Sequence, residues 1–223
     1  MIYTFCDDAG KELLNIKGEL YKYLIKVRRH SEGDELCFRT RTDIQTLHIY
    51  KLLHVEPRAI ELSLISSQTK DVKADKSLHV GWCIIDSKSI EKVLPSLCEI
   101  GVQRITFISC DRSQKNFKLD FKRFERIQEA SMQQSGRSSF IEFDTSKCIK
   151  DFVELNPSAK VFDFCETTLK DGVNFQTVLI GCEGGFSENE RDFLKTQESF
   201  KLKTPMILRS ESAVLAVASK ILL

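Results

Sequence analysis

Hydrophobic residues recur along this chain in short runs, and the period of those runs changes about a third of the way in. Over residues 1–70 the runs are brief and closely spaced. Ile2-Tyr3-Thr4-Phe5 comes first; a Gly33-Asp34 turn leads into Glu35-Leu36-Cys37-Phe38. Further runs at 47–55 and 59–65 are separated by Glu56-Pro57-Arg58. Each pattern predicts a strand bounded by turn residues. Between them, residues 20–29 predict a helical piece with Leu20, Leu24 and Val27 on one side. Several short strands at such spacing predict a small β-barrel. Residues 67–76 are polar and charged with no core face, which marks a linker and divides the chain into 1–70 and 74–223.

Beyond the linker, strand-like and helix-like patterns alternate. Strands are expected at 78–85, 105–108, 140–143, 160–165 and 177–180, and helices at 89–100, 120–134 and up to about Leu155. Pro95 predicts a kink or a later start in the first of these helices, and Gly101 its stop. Ser187 and Glu190 form a capping-box pattern that opens another helix. The last helix, 212–223, is apolar nearly all round and needs cover from the core or from a second subunit. Alternation of this kind predicts an α/β domain on a mostly parallel sheet.

Two strand ends carry the candidate chemistry. Leu179-Ile180 runs into Gly181-Cys182-Glu183-Gly184-Gly185-Phe186-Ser187, and Ile207-Leu208 runs into Arg209-Ser210-Glu211-Ser212-Ala213. A strand that stops at glycines leaves backbone amides and carbonyls free to grip a ligand, and ligands gather at the carboxyl ends of such strands. The first segment lacks the Lys-Ser/Thr of a P-loop and the spacing of a dinucleotide fingerprint, so triphosphates and dinucleotides are disfavoured. Two readings stay open: a plain strand-to-helix turn, or close backbone approach to a flat or neutral ligand. Arg209 and Glu211 could be no more than a local pair with Glu211 as an ordinary helix-start partner, but a position at a strand terminus favours function.

Charge and cysteine content narrow the class. The net charge is +1, which gives no global signature of nucleic-acid binding. Locally, Lys22, Lys26, Arg28, Arg29 and His30 crowd together with no acid between Glu19 and Glu32. That is either a solvated face or a phosphate-contacting one. The eight cysteines show no C-x-x-C pair, and most sit in apolar runs. They are expected to be reduced core residues, neither a disulfide framework nor a metal site. The four histidines suggest no catalytic triad. No apolar run approaches the ~20 residues needed to span a bilayer, and the start of the chain lacks a signal-peptide pattern, so a cytoplasmic protein is expected.

Taken together, Gly181-Cys-Glu-Gly-Gly-Phe-Ser-Glu188 and Ile207-Leu-Arg-Ser-Glu-Ser-Ala213 resemble the motifs of the ribosomal RNA small subunit methyltransferase E family, within the SPOUT methyltransferases. There they read I-G-P-E-G-G-F-S-x-x-E and I-L-R-T-E-T-A. Glu99-Ile-Gly-Val102, Asp111-Arg-Ser113, Gln134-Ser-Gly-Arg137 and Tyr23-Leu-Ile-Lys-Val-Arg-Arg29 extend the resemblance over the chain. Cys182 stands where proline is usual, Ser210 and Ser212 replace threonines, and Arg28 replaces a leucine. Asp86 and Ser96 fall where lysines are common, with Lys88 and Lys92 nearby as substitutes.

The resemblance implies an α/β fold with a C-terminal trefoil-knotted domain, a small N-terminal PUA-like β-barrel that grips RNA, and a homodimer. It implies S-adenosylmethionine as cofactor, held by Phe164, Cys165, Ile180, Gly181, Glu183, Gly184, Gly185, Ile207, Leu208, Arg209, Ser210 and Ala213. The implied reaction is methylation of uridine N3 in 16S ribosomal RNA of the small subunit. Uridine N3 is a poor nucleophile until it loses its proton, so the site must disperse charge and accept that proton. Arg209 is the candidate for stabilising the uridinate or holding its phosphate. Glu211 or Glu183 would accept the proton or orient Arg209. Lys22, Lys26, Arg28, Arg29, Arg112 and Arg137 are the expected RNA contacts. Rival readings are methylation of another RNA position such as a ribose 2′-OH, a non-catalytic RNA-binding assembly protein, and a plain nucleotide-binding domain.

Overall fold

In the computed structural model, which describes residues 2–113 and 118–223, the chain divides into two units. One runs to Val72 and takes in Gln133–Ser139; the other comprises Lys73–Met132 and Phe140–Leu223.

The first unit is built on one sheet of β1 (Thr4–Phe5), β2 (Leu13–Lys17), β3 (Glu35–Arg39), β4 (Thr46–Val55) and β5 (Ala59–Thr69). Its order is β1-β3-β4-β5-β2. β1 runs parallel to β3 and the other pairs are antiparallel. β1 and β2 are therefore edges, and the described strands form a curled half-barrel sheet whose pairs do not complete the small barrel expected. Register shifts at Ile49/Tyr50 and Leu52/His54 mark bulges, which bend a long strand. Alternation puts Leu14, Ile16, Phe38, Tyr50, Leu52, Ile60 and Leu62 into one core. β2 escaped the sequence reading because its inward set is only Leu14 and Ile16, while Leu13 is exposed. β5 extends to Thr69, so the start of the expected linker is a strand with polar faces.

The helical piece is α1 (Gly18–Tyr21) passing into a π-helix, Lys22–Val27. A π-helix repeats more slowly than 3.6 residues per turn. Leu24 is buried in consequence, but Val27, expected on the same side, is 66% exposed. The widened turn ends at Arg29, which adopts a left-handed φ of 61°. Residues 133–139 join this unit through Tyr3 Oη donating to the Arg137 carbonyl (2.8 Å) and the Phe5 amide donating to Gln133 Oε1 (3.0 Å).

The second unit has a parallel sheet of β6 (His79–Cys83), β7 (Arg104–Ile108), β8 (Glu142–Ser146), β9 (Lys160–Phe162), β10 (Thr177–Ile180) and β11 (Ser199–Phe200). The order is β11-β9-β10-β6-β7-β8, so β10 lies between two strands that precede it in the chain. The helices are α2 (Ser87–Glu99), α3 (Phe121–Ser135), α4 (Ile149–Leu155), α5 (Glu188–Leu194) and α6 (Ser210–Leu222). Parallel strands covered on both faces read as continuous apolar runs, and Val80, Trp82, Val178 and Leu179 are fully buried. Gly81 is required by packing: a Cβ there would stand 2.4 Å from Phe152 Cζ of α4.

Three expectations shift. Pro95 sits inside α2, which neither stops nor restarts there. The strand expected at 140–143 is β8, two residues later, because the Ile141 amide donates to Gln128 Oε1 (2.7 Å) instead of to a ladder. α6 begins at Ser210 and buries Ala213, Val214, Val217, Ala218, Ile221 and Leu222, while Leu215 and Ala216 on its other side are half-exposed.

Candidate functional site

β10 delivers Ile180 to the carboxyl edge of the sheet, and the glycine segment turns back at once. The Gly185 amide donates to the Cys182 carbonyl (2.9 Å), with Gly185 at a left-handed φ of 65°. A Cβ on Gly181 would meet Gly185 Cα at 3.3 Å, so the two glycines let the segment fold onto itself. The predicted capping box then opens α5: the Glu190 amide donates to Ser187 Oγ (3.2 Å) and the Ser187 amide to Glu190 Oε2 (2.8 Å). Glu190 Oε1 also accepts from the Asp111 amide (2.8 Å), and Arg112 Nη1 donates to the Gly184 carbonyl (2.6 Å). The loop after β7 thus holds the glycine turn from behind.

The second wall is the start of α6; Ile207-Leu208, expected as a strand end, form no strand and lead into the helix as irregular chain. Arg209 is its extended N-cap residue. Ser210 Oγ donates to the Gly181 carbonyl (2.6 Å) and accepts from Trp82 Nε1 (2.8 Å). Ser210 is 4% exposed and Trp82 fully buried, so one hydroxyl ties the two segments together and satisfies an indole N–H that is sealed from solvent. A third wall follows β9. Asp163 accepts two bonds from the Arg191 guanidinium, Nε to Oδ2 at 2.8 Å and Nη2 to Oδ1 at 3.1 Å. The bidentate carboxylate holds the Arg191 pKa above its ordinary value.

These walls enclose a cavity of about 270 Å³. Phe162, Ile180, Phe186, Leu208 and Ala213 supply apolar surface, and the glycine turn supplies main chain. Phe164, Met206 and Ile207, at 76%, 70% and 83% exposure, stand at the same cavity. Large apolar side chains left open side by side mark a binding surface more often than they mark chance. Asp163 and Arg191 neutralise each other, so the cavity suits a flat, largely uncharged group.

Of the residues expected to hold a cofactor, the structure brings together Phe164, Ile180, Gly181, Glu183, Gly184, Gly185, Ile207, Leu208, Ser210 and Ala213. Cys165 and Arg209 are not among the lining residues. β9 ends at Phe162, three residues before the expected end, so Phe162 and Asp163 take the place given to Cys165, whose Sγ donates to the Thr167 carbonyl (3.5 Å). The Arg209 side chain is exposed and has no hydrogen-bond or ion-pair partner among the described residues, Glu211 included. Glu211 Oε2, in the first turn of α6, is buried and has no hydrogen-bond partner among the described residues. Phe162, Asp163, Arg191, Thr204 and Met206 escaped the sequence reading. An acid immediately after a buried parallel strand was the available signal for Asp163.

The expected RNA contacts separate. Lys26, Arg28 and Arg29 are exposed; Arg28 Nε donates to Tyr23 Oη (2.9 Å), and Lys22 makes an exposed pair with Glu19 (2.6 Å). Arg112 is committed to the glycine turn. Arg137 is corrected: it is 5% exposed, with Nε donating to the Ser139 carbonyl (2.6 Å), and in this packing it presents no surface cation. Among the described residues no cluster of three His, Cys, Asp or Glu could hold a metal, and no helix is long and apolar enough to cross a membrane.

Residues 72–222 match the family of the RNA methyltransferase domain. The chain is 35% identical to ribosomal RNA small subunit methyltransferase E of Helicobacter pylori, covering 98% of each sequence. It is 26% identical to the protein of the same name from Aquifex aeolicus, over 94% of this chain and 93% of that one. Among solved structures, ribosomal RNA small subunit methyltransferase E from Neisseria gonorrhoeae, bound to S-adenosylmethionine, superposes with a TM-score of 0.75 at 17% identity, over 98% of this chain and 95% of that one. A Legionella pneumophila protein in complex with the bound cofactor SAM gives 0.76 at 20% identity, over 99% and 95%. At such identities these two structures speak to the fold.

Proposed function

The chain belongs to the ribosomal RNA small subunit methyltransferase E family of RNA methyltransferases, and on that premise we propose that it methylates N3 of a uridine in 16S ribosomal RNA with S-adenosylmethionine as donor. The observation that carries the reading is the cavity at the ends of β9 and β10, closed by the start of α6. Its walls fit the cofactor. Main chain at Gly181–Gly185 offers hydrogen bonds without bulk, and Phe164, Met206 and Ile207 offer apolar cover that a purine-sized ring would bury. S-adenosylmethionine supplies a methyl group made electrophilic by its sulfonium.

This chain's own residues would do the rest. Arg209, exposed and unpaired at the cavity's edge of α6, disperses charge on the uridinate or grips its phosphate. Glu183, which lines the cavity, or Glu211, with an unpartnered oxygen in the first turn of α6, accepts the N3 proton or orients Arg209. Lys22, Lys26, Arg28 and Arg29 supply phosphate contacts from the first unit, which we take as a PUA-like domain. Insertion of β10 between β6 and β9 suits a trefoil knot. The half-exposed side of α6 suits a homodimer, and we take the cytoplasm as its compartment.

The test is calorimetry with S-adenosylmethionine, followed by incubation with undermethylated 16S ribosomal RNA or small subunits and mass-spectrometric mapping of the methyl. N3-methyluridine is the expected product. A ribose 2′-O-methyl group would replace the base with the sugar as target. RNA binding without cofactor binding would mean an assembly protein.

A further inference from the structure

Three thiols converge beside the cavity: Cys83 ends β6, Cys110 follows β7, and Cys182 sits in the glycine turn after β10. Cys110 Sγ and Cys182 Sγ are 3.6 Å apart across 72 residues of chain. Cys83 is fully buried, and burial with Cys110 nearby raises its pKa. Reduced core cysteines were the expectation, and Cys83 fits it. The other two do not behave as filler. Cys110 is half-buried, so a small solute can reach it, and Cys182 lines the cavity.

Their surroundings give the two sulfurs opposite tendencies. Hydrogen bonding within this thiol cluster, and with the Ser113 hydroxyl 3.0 Å away, lowers the Cys110 pKa below the usual thiol range. Hydrogen bonding with Cys110, and burial, push the Cys182 pKa up. A reachable sulfur with thiolate character beside a protonated partner is the arrangement of an attacking and a resolving cysteine.

We propose that Cys110 and Cys182 are a peroxide-responsive pair whose disulfide shuts the cofactor cavity. In the first step the Cys110 thiolate attacks one oxygen of hydrogen peroxide. The O–O bond breaks, hydroxide leaves, and Cys110 becomes a sulfenic acid. In the second, the Cys182 sulfur attacks the Cys110 sulfur; the S–O bond breaks and water departs with the Cys182 proton. The sulfurs lose two electrons together, and peroxide is reduced to water and hydroxide. A thiol such as glutathione reverses the reaction by exchange. Disulfides in reducing compartments are usually transient and redox-sensing, which suits this chemistry.

The consequence for binding rests on the proposed cofactor reading. A disulfide has its sulfurs about 2.05 Å apart, so the pair must close by roughly 1.5 Å. Gly181, Gly184 and Gly185 let the turn follow Cys182. The same movement bears on the bond from Ser210 Oγ to the Gly181 carbonyl, one residue away, which joins the two walls. It also ends the contact between Cys182 Sγ and the Gly185 carbonyl at 3.6 Å.

The experiment treats the full chain with hydrogen peroxide, maps disulfides by peptide mass spectrometry, and measures S-adenosylmethionine affinity before oxidation, after it, and after dithiothreitol. A peptide pair joining Cys110 to Cys182 is expected, with affinity at least tenfold weaker and restored by reduction. Cys110→Ser should bind like the reduced wild type and ignore peroxide, while Cys83→Ser should still cross-link. No Cys110–Cys182 peptide, a Cys83–Cys110 bridge in its place, or unchanged affinity in the cross-linked protein overturns the proposal. Failure of the reduced wild type to bind S-adenosylmethionine would sink the cofactor reading instead, and the peptide map reads the cross-link regardless.

Discussion

The cavity of the second unit and the basic turn of the first answer the same question in different ways. The cavity is specified by shape: main chain from one turn, a hydroxyl from one helix start, aromatic and aliphatic walls, and charges that cancel. The basic turn is specified by charge alone. Its cations are exposed, its helix is widened into a π turn, and little fixes where a ligand group would sit. A site defined by geometry implies a particular ligand, whereas a site defined by charge implies only a class, here a polyanion. That is why the cofactor can be argued residue by residue and the RNA footprint cannot.

The sharpest way to break this contrast is Arg209→Ala, because Arg209 belongs to neither side. It adjoins the cavity without lining it. Turnover should fall by about 10²–10³, the effect of removing a charge-stabilising donor, while calorimetric affinity for S-adenosylmethionine stays as in the wild type. Near-normal turnover would remove Arg209 from the mechanism.

Ser210→Ala comes next. It leaves the buried Trp82 N–H without an acceptor and frees the Gly181 carbonyl, so stability should drop by about 1–3 kcal/mol in urea melts. Cofactor affinity should drop with it, since both walls hang on that hydroxyl. Loss of stability with affinity intact would show that the walls hold their positions independently.

Lys26→Ala and Arg29→Ala should act on the other region only. Each should lower the salt slope of RNA binding by about 1 and leave cofactor affinity alone. Arg112→Ala separates the two sites: its bond to the Gly184 carbonyl predicts weaker cofactor binding and an unchanged salt slope. The reverse result would move Arg112 back to the RNA side.

A smaller effect concerns pH. Burial, with Arg104 nearby, holds His79 at about 4, down from 6.5. The unfolded chain therefore takes up a proton that the folded chain refuses. The contribution of neutral His79 is complete above about pH 6.5 and is lost as pH falls toward 4. His79→Asn should flatten the melting temperature over that window; an unchanged profile would mean that other groups govern the acid limb.

Much of this was legible from local pattern. The alternating elements of the second unit, the capping box at Ser187 and Glu190, and the glycine turn follow from periodicity and from what Ser, Glu and Gly do to backbone. Ten of the expected cavity residues sit together for the same reason: each adjoins a strand end or helix start that the sequence marks. The misses share a different cause. Cys165 was displaced because β9 stops at Phe162, and Val27 turned outward because a π-helix changed the period. Arg137 was taken for a surface cation until packing of residues 133–139 buried it.

The sequence by itself determined the alternation of strand and helix, the two glycine-and-arginine segments, and the family to which they belong, because those depend on residues close together in the chain. Only the tertiary structure decided that Trp82 and Ser210, 128 residues apart, join the two segments, that Asp163 and Arg191 cancel within the cavity, and that Cys110 faces Cys182. Such pairings depend on which strand lies beside which, and β10 takes its place between β6 and β9 because burial on both faces rewards the whole sheet at once and no local run of residues encodes it.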